Sequence, residues 1–297
     1  MTTSVHFIGV GKMGLPMALH FKAAGHSVSV SDTSDERLQL AGAQGLAVVA
    51  GDAAVAQTMA RADVVFSSLP HDAALLSVTT QVALAARHGA VYVDTSTVSQ
   101  QASAEAAQVL SVAGVQYVRA TVSGNSKMAE AAQLTVMASG PRAAYDAVLP
   151  LLKRLGASQF YLGDGEQARL MKLVVNLMIA QTSAMLSEGL ALGRKGGLGW
   201  HDMWQVLGAS AVASPILKAK AVQLAERDFT PTFTVHQMIK DLDLILGAAE
   251  AVHAPLPQTA LTHQLMHAAV AQGDGLEDYA AIIKSVERSA GLSTQLE

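Results

Sequence analysis

A set of three glycines constrains the fold of this chain more than any other feature. Gly9, Gly11 and Gly14 lie between a short apolar run and a second apolar segment rich in leucine, methionine and alanine. This order predicts a β-strand, a tight turn and an α-helix, in which the glycines allow a sharp turn, close approach of a ligand and close helix packing. The free N–H groups of such a helix favour a diphosphate. The residues predicted to contact this diphosphate-containing ligand are Gly9, Gly11, Lys12, Met13 and Gly14.

An acidic residue follows the next predicted strand. Residues 27–31 alternate serine and valine after a turn at Gly25-His26, and Asp32 comes directly after them. An acid about twenty residues beyond the glycines accepts hydrogen bonds from the adenosine ribose and repels a 2′-phosphate. The pattern therefore predicts an NAD-binding unit, with NADP less favoured. Three residues downstream offer a phosphate site if Asp32 turns away: Thr33, Ser34 and Arg37.

Composition narrows the class of protein. A chain of 297 residues exceeds the usual size of one domain, so we expect two. The hydrophobic share of 51% against 15% charged residues predicts helix surface buried between subunits of a homodimer or homotetramer. We expect a cytoplasmic protein that is neither secreted nor membrane-spanning, because we find no basic leader and no long unbroken apolar stretch. The chain has no cysteine, which excludes thiolate chemistry, and a net charge of −4 argues against nucleic acid as a partner.

The chain divides by its pattern of strands and helices. Residues 1–163 alternate short β-rich runs with alanine-rich helical stretches, which predicts a mostly parallel, doubly wound α/β sheet. Residues 164–195 contain one long helix, predicted over 166–194 and buried all round, that joins two domains. Residues 196–297 show only helical patterns, so this domain is predicted to be all-α. Further strands are predicted at 62–69, 90–94, 115–118, 134–138 and 160–162, with helices at 72–87, 99–113 and 142–155.

The long helix carries a candidate acid/base. Lys172 and Asn176 are four residues apart, which places both on one helical face within reach of the same ligand. Burial lowers the pKa of a lysine toward neutrality, and such a lysine can take a proton from a hydroxyl as a hydride leaves its carbon. The alternative is a lysine whose stem packs while its amine reaches water.

With Lys172 in view, the sequence resembles the β-hydroxyacid dehydrogenase family, which includes 3-hydroxyisobutyrate dehydrogenases, tartronate semialdehyde reductases and glyoxylate/succinic semialdehyde reductases. The resemblance covers nearly the whole chain and implies a Rossmann domain followed by a helical domain. Six motifs occur in the family's order: the segment 7–18, Leu69-Pro70, Asp94-Thr95-Ser96-Thr97, Val122-Ser123-Gly124, Lys172 through Asn176, and Lys240-Asp241.

The resemblance also implies roles for these residues. Lys172 matches the family's general acid/base, and Asn176 matches a residue that orients the lysine and the substrate. Leu69-Pro70 turns over the cofactor, and Lys240 is expected to reach it. The implied substrate is a short 3-hydroxy acid or its semialdehyde. Ser123, Gly124 and Asn125 are assigned to its carboxylate, and Ser96 is placed near both the substrate and the nicotinamide of the cofactor.

The substrate segment departs from the family pattern. Where many members have Asp-Ala-Pro-Val-Ser-Gly-Gly, residues 119–125 read Arg-Ala-Thr-Val-Ser-Gly-Asn. Asn125 adds a donor and an acceptor, and Thr121 restores a backbone N–H that proline lacks, so we expect an altered pocket. Lys127 is a candidate for a second anion, although a solvated loop lysine is the favoured interpretation.

Other candidates are weaker. His263 and His267 have helical metal spacing without a third ligand. His71 follows Pro70, and a surface histidine is favoured over a cofactor contact. The sevenfold-spaced methionines Met171, Met178 and Met185 are predicted to fill the core. Two other functions stay open, namely an imine reductase of the same layout and a catalytically silent NAD-binding protein, and the retained Lys172 argues against both.

Overall fold

The structure is a computed structural model that describes residues 2–295. It contains two compact units, Met1–Lys172 and Leu173–Glu297, which divide inside the long helix. The domain limits predicted at residues 163 and 195 stay predictions. The strands of the first unit are β1 (Ser4–Ile8), β2 (Ser27–Ser31), β3 (Ala47–Val48), β4 (Val64–Ser67), β5 (Val91–Asp94), β6 (Gln116–Ser123), β7 (Thr135–Ser139) and β8 (Ser158–Tyr161).

These strands form one eight-stranded sheet in the order β3-β2-β1-β4-β5-β6-β7-β8. All neighbours are parallel except β6 and β7, which pair antiparallel. The strands next to the glycine turn are apolar because helices cover both faces of a doubly wound sheet. Phe7, Phe21 and Phe66 meet in the core between β1, β4 and the first helix, with ring centroids 4.8 to 6.3 Å apart. The predicted doubly wound sheet is confirmed.

Helices connect the strands of this first unit. The sequence predicted α4, α5 and α7 within a few residues of their observed limits, but it did not predict α2, α3, α6 or the short strand β3. These elements are short, and α2 and α3 expose most of their surface, so their apolar pattern is weak. The helices are α1 (Gly14–Ala23), α2 (Asp35–Ala43), α3 (Asp52–Arg61), α4 (Asp72–Ala85), α5 (Gln100–Val112), α6 (Ser126–Glu130) and α7 (Arg142–Leu152).

The second unit is helical, as predicted. The part of the chain described beyond residue 172 has no β-strand, and its one isolated β-bridge joins Thr234 to Asp278. Its core packs α11 and α12 against the long helix, with Leu242 and Met266 fully buried. The elements are α8 (Gln167–Lys195), α9 (Trp200–Ala209), α10 (Pro215–Ala225), α11 (Val235–Ala251), α12 (Pro257–Ala271), a 3-10 turn (Tyr279–Ala281) and α13 (Ile282–Ser289).

The long helix α8 has the predicted limits within one residue but not the predicted burial. Met178 is 62% exposed and Leu192 is 76% exposed. The assignment of Met171, Met178 and Met185 to the core is therefore wrong, because sevenfold spacing puts them on one face of the helix and each is at least 38% exposed among the residues described. Of the helices described, α8 alone meets the length and hydropathy criteria for crossing a membrane, a test that core helices also pass.

A buried histidine makes the stability of the first unit pH-dependent. His6 on β1 is fully buried, and its two ring nitrogens lie 2.9 Å from Ser29 Oγ and 3.1 Å from Ser31 Oγ. One serine donates to the neutral ring and the other accepts from it. Burial lowers the pKa of His6 from 6.5 to about 4, because the charged ring is poorly solvated there.

The unfolded chain therefore binds this proton more readily than the folded one. The contribution of His6 is fully present above pH 6.5 and is lost as the pH falls toward 4, by roughly 3 kcal/mol in total. In urea unfolding between pH 7 and 4.5, we expect His6→Leu to lose less stability than the wild type. Equal losses in the two proteins would contradict this assignment.

Candidate functional site

The carboxyl edge of the parallel strands collects the residues singled out from the sequence. The glycine turn follows β1, Asp32 follows β2, Leu69 follows β4, Ser96 follows β5, and Ser123 ends β6. Because β1, β2, β4, β5 and β6 are mutually parallel, these residues share one edge of the sheet. Ligands of doubly wound sheets bind at this edge.

The three glycines of this turn differ in what a side chain at each position would contact. Gly9 has a positive φ of 87°, and a Cβ there would lie 2.4 Å from Ser68 O. A Cβ on Gly14 would lie 1.9 Å from Gly9 O, so this glycine lets α1 pack against the turn. A Cβ on Gly11 would meet only the Arg37 guanidinium, at 3.5 Å. Gly9 and Gly14 are required by the fold, whereas Gly11 leaves its backbone open to a ligand.

The start of α1 is suited to an anion. Its first turn contains no acidic residue, and Met13 precedes it without a side-chain cap, so no side chain of the capping residue occupies the N–H groups. The glycine turn at residues 9–14 and the first N–H groups of α1 form a cradle that fits the diphosphate of a dinucleotide.

Asp32 holds the glycine turn against β2. Its Oδ2 accepts from Val10 N–H at 2.8 Å, and its Oδ1 accepts from Ser34 N–H at 2.9 Å. An ionised carboxylate has about four acceptor positions, so each oxygen retains one for a ribose hydroxyl. Arg37 Nη1 lies 3.7 Å from Asp32 Oδ2, and the Arg37 side chain is 55% exposed. A cation is thus present beside the acid that the sequence assigned to NAD.

Ser96 is a buried junction between two turns. Its hydroxyl donates to Asp94 Oδ1 at 2.6 Å and accepts from Leu69 N–H at 2.7 Å. Pro70 has no N–H, so the Leu69 amide anchors the Leu69-Pro70 turn. His71, the next residue, is exposed and caps α4 by accepting from Ala74 N–H at 3.2 Å.

The substrate segment 122–125 lies where β6 passes into α6. β6 extends to Ser123, five residues beyond the end predicted from the sequence, because its antiparallel partner β7 continues the ladder. Gly124 has φ 138°, and a Cβ there would lie 2.6 Å from Leu134 Cδ2. Asn125 caps α6, with its Oδ1 accepting from Met128 N–H at 3.0 Å. The side-chain acceptor that Asn125 adds is thus engaged, which leaves its amide donor, and Lys127 is exposed.

Within α8, Asn176 is held by a buried carboxylate. Its Nδ2 donates to Asp241 Oδ2 at 2.5 Å, and both residues are at least 95% buried. A carboxylate only accepts, so the amide nitrogen must face Asp241 and the amide oxygen faces away. Lys240 forms an ion pair with Asp241 Oδ1 at 2.7 Å. Lys172 is half-buried, one helical turn before Asn176.

Sequence reasoning missed a buried arginine at the start of α8. Arg169 and Asp94 are both 0% exposed, and Arg169 Nη2 donates to Asp94 Oδ2 at 2.5 Å. Burial alone would lower the pKa of Arg169, but Tyr117 and Asp94 raise it above its ordinary value, so the side chain stays charged. Removing one partner of such a pair costs about 3–5 kcal/mol. The available signal was an arginine among apolar helix residues, three positions before Lys172.

The remaining polar candidates lie outside this edge. His263 Nε2 lies 2.8 Å from Asp243 Oδ1 and 3.2 Å from His267 Nε2. Among residues 2–295, no group of three or more histidine, aspartate or glutamate side chains is arranged to hold a metal ion.

Comparison with known proteins agrees with this arrangement. Residues 4–163 match the family model of the NAD binding domain of 6-phosphogluconate dehydrogenase. Residues 166–286 match the model described as NAD-binding of NADP-dependent 3-hydroxyisobutyrate dehydrogenase.

Similar proteins share both units. The chain is 34% identical to 2-(hydroxymethyl)glutarate dehydrogenase of Eubacterium barkeri, over 97% of this chain and 96% of that one. It is 29% identical to glyoxylate/succinic semialdehyde reductase 2, chloroplastic, of Arabidopsis thaliana, over 96% of this chain and 80% of that protein. A solved Mycobacterium tuberculosis 3-hydroxyisobutyrate dehydrogenase with L-serine superposes with a TM-score of 0.86 at 27% identity, over 96% of this chain and 99% of that chain.

The cradle at α1 and the sheet edge around it define an NAD(P)-binding oxidoreductase. The matches cover both units in their order along the chain. The chain belongs to the β-hydroxyacid dehydrogenase family, of the 3-hydroxyisobutyrate dehydrogenase type.

Proposed function

We propose that this enzyme interconverts a short 3-hydroxy acid and its semialdehyde or keto acid. The observation that carries the proposal is the pair Lys172 and Asn176 on one face of α8, with the Asn176 amide fixed by Asp241. Family membership supports the class of reaction, and the names of the relatives support small carboxylic acids as substrates.

The roles of the residues follow from their chemistry. Bound NAD(P) supplies the hydride acceptor for alcohol oxidation. The Lys172 amine takes the proton of the substrate hydroxyl in that direction and returns it in the reverse direction. The Asn176 amide oxygen, which points away from Asp241, accepts a hydrogen bond and so orients the lysine and the substrate. Family resemblance is the ground for assigning Lys240 of α11 to cofactor binding.

The carboxylate site is assigned to the end of β6. Ser123 supplies a hydroxyl, Gly124 an open backbone, and Asn125 the Nδ2 amide that its capping bond leaves available. Backbone N–H groups in such a turn suit a small anion. Ser96 lies at the same edge, where its hydroxyl bonds to Asp94 and Leu69 support a role in holding the site. Its place near the substrate and the nicotinamide rests on the family resemblance.

One panel experiment tests this function. The purified protein is mixed with NAD or NADP and a series of short 3-hydroxy acids, and reduction is followed by the absorbance of the reduced nicotinamide. We expect turnover with at least one 3-hydroxy acid. Dinucleotide binding without turnover would favour the catalytically silent alternative, and reduction of ketone–amine mixtures alone would favour an imine reductase.

We also propose NAD as the preferred cofactor, because Asp32 repels a 2′-phosphate. Asp32→Ala is expected to weaken NAD use and to narrow its advantage over NADP, since the nearby Arg37 then faces the phosphate without a competing acid. The measurement is kcat/KM for both cofactors in wild type and variant, with Asp35→Ala on α2 as the control. A wild type that prefers NADP would overturn the assignment.

A homodimer, or a tetramer built from dimers, is proposed from α8. Its exposed apolar side chains include Met171, Val174, Met178, Met185 and Leu192, which follow the spacing of a helix-pairing stripe. We expect light scattering to give at least twice the chain mass of 30.8 kDa, and Met178→Lys to lower it. A monodisperse wild-type monomer would contradict this proposal. The cytoplasmic location stays a prediction.

A further inference from the structure

The buried pair of Arg169 and Asp94 belongs to a larger hydrogen-bond network. Arg169 Nη1 donates to Ser96 O at 2.6 Å, its Nε donates to Ser103 Oγ at 3.1 Å, and its Nη2 also donates to Tyr117 OH at 2.8 Å. The guanidinium therefore joins the first turn of α8 to β5, α5 and β6. It does so without contact with solvent.

Asp94 extends this network toward the cofactor turn. Its Oδ1 accepts from Ser67 Oγ at 2.5 Å and from Ser96 Oγ at 2.6 Å. Ser96 in turn accepts the N–H of Leu69. Arg169 thus reaches the Leu69-Pro70 turn through Ser96, which it contacts directly at the carbonyl oxygen and also by way of Asp94.

The position of Arg169 in α8 gives the network its consequence. Arg169 lies in the first turn of the helix, and Lys172 lies three residues later on the same rigid element. Arg169 holds the start of α8, which carries Lys172, and through Ser96 it also holds the Leu69 amide. It therefore fixes the position of the proton-transfer group Lys172 relative to the Leu69-Pro70 turn. Small displacements of a catalytic group lower the rate about 10²-fold.

We propose that Arg169 is a positioning residue, which through Asp94 and Ser96 locks Lys172 and the Leu69-Pro70 turn into register for hydride and proton transfer. This inference rests on the proposed function for the role of Lys172. It assigns to Arg169 no contact with substrate or cofactor.

The test compares two arginines at opposite ends of α8. Arg169→Lys keeps the charge but loses the forked donors, whereas Arg194→Lys alters an ion pair to buried Glu287 that has no bond to Asp94 or Ser96. We expect Arg169→Lys to lower kcat about 10- to 100-fold with KM for the acid changed less than about 3-fold. We expect Arg194→Lys to change kcat less than about 3-fold.

Two milder variants keep the test decisive if Arg169→Lys does not fold. Tyr117→Phe and Ser103→Ala each remove one bond to the guanidinium, and each is expected to lower kcat by about 3- to 10-fold. Retention of wild-type kcat in the folded variants, or an equal loss in Arg194→Lys, would overturn the proposal.

Amide hydrogen exchange separates this inference from the proposed function. We expect the Leu69 and Ser96 amides to exchange faster in Arg169→Lys than in Arg194→Lys, whatever reaction the enzyme catalyses. If Lys172→Ala keeps its activity but the Leu69 and Ser96 amides lose protection in Arg169→Lys, the proposed role of Lys172 is wrong and the positioning of the turn by Arg169 is supported. Unchanged exchange in Arg169→Lys would refute the lock itself.

Discussion

Replacing Lys172 with alanine is expected to lower kcat by about 10²–10⁴-fold, the usual contribution of a general acid/base. The dinucleotide Kd should stay near the wild-type value, because Gly11 lies in the turn between β1 and α1, Gly14 begins α1, and Asp32 directly follows β2, so none of them is on α8. Alanine is a strong helix former, so α8 should persist. The measurements are steady-state kinetics on the best acid and dinucleotide binding by calorimetry.

The pH profile gives a second readout for the same residue. In the wild type, kcat for alcohol oxidation should rise with pH as the Lys172 amine loses its proton, since only the neutral amine accepts one. This rising limb should disappear in Lys172→Ala. Glu188→Ala, which shortens an exposed side chain on the same helix, serves as the control. A Lys172→Ala enzyme with most of its kcat would reduce Lys172 to a packed or solvated lysine.

Gly11→Ala is expected to weaken dinucleotide binding by about 10- to 100-fold while leaving the fold intact. Gly11 does not have a positive φ, and an added Cβ would make only an ordinary contact with Arg37. The methyl group would instead occupy the space through which the diphosphate approaches the backbone. Overpacking of this kind costs about 1–3 kcal/mol. Calorimetry gives the Kd, and thermal unfolding gives the Tm.

Two other glycine variants serve as comparisons for Gly11→Ala. Gly14→Ala should destabilise the first unit, because its Cβ would lie 1.9 Å from Gly9 O. Gly247→Ala on α11 should change neither binding nor folding adversely, since an added Cβ meets no atom within 4 Å. If Gly11→Ala binds the dinucleotide as tightly as the wild type, the cradle is not the diphosphate site.

The order of elements was predictable because the sequence patterns are local and strong. Gly9 to Gly14 encode a strand-turn-helix unit, and the apolar strands around them predict a doubly wound sheet. The limits of α8 were visible within one residue because no proline interrupts it. The short elements α2, α3 and α6 were not found, since each buries only one or two residues.

The candidate site was partly visible for the same reason. Its residues follow strand ends, and parallel strands bring those ends to one edge. The sequence did not predict which polar atoms of these residues are already hydrogen-bonded within the protein, because those bonds depend on atoms that come from distant segments. Asn125 reads as an open donor and acceptor, yet its Oδ1 caps α6. Ser96 reads as a substrate contact, yet its hydroxyl joins Asp94 to Leu69.

The sequence by itself determined the class of fold, the cofactor cradle and the family, since these depend on glycine sterics and on residue order. Only the tertiary structure decided which polar groups are buried together and which apolar ones stay uncovered. Arg169 and Met178 both lie on α8, and residue type alone favours an exposed arginine and a buried methionine. Arg169 is buried because Asp94, Ser103 and Tyr117 satisfy its charge and donors, whereas Met178 is exposed because none of residues 2–295 covers it.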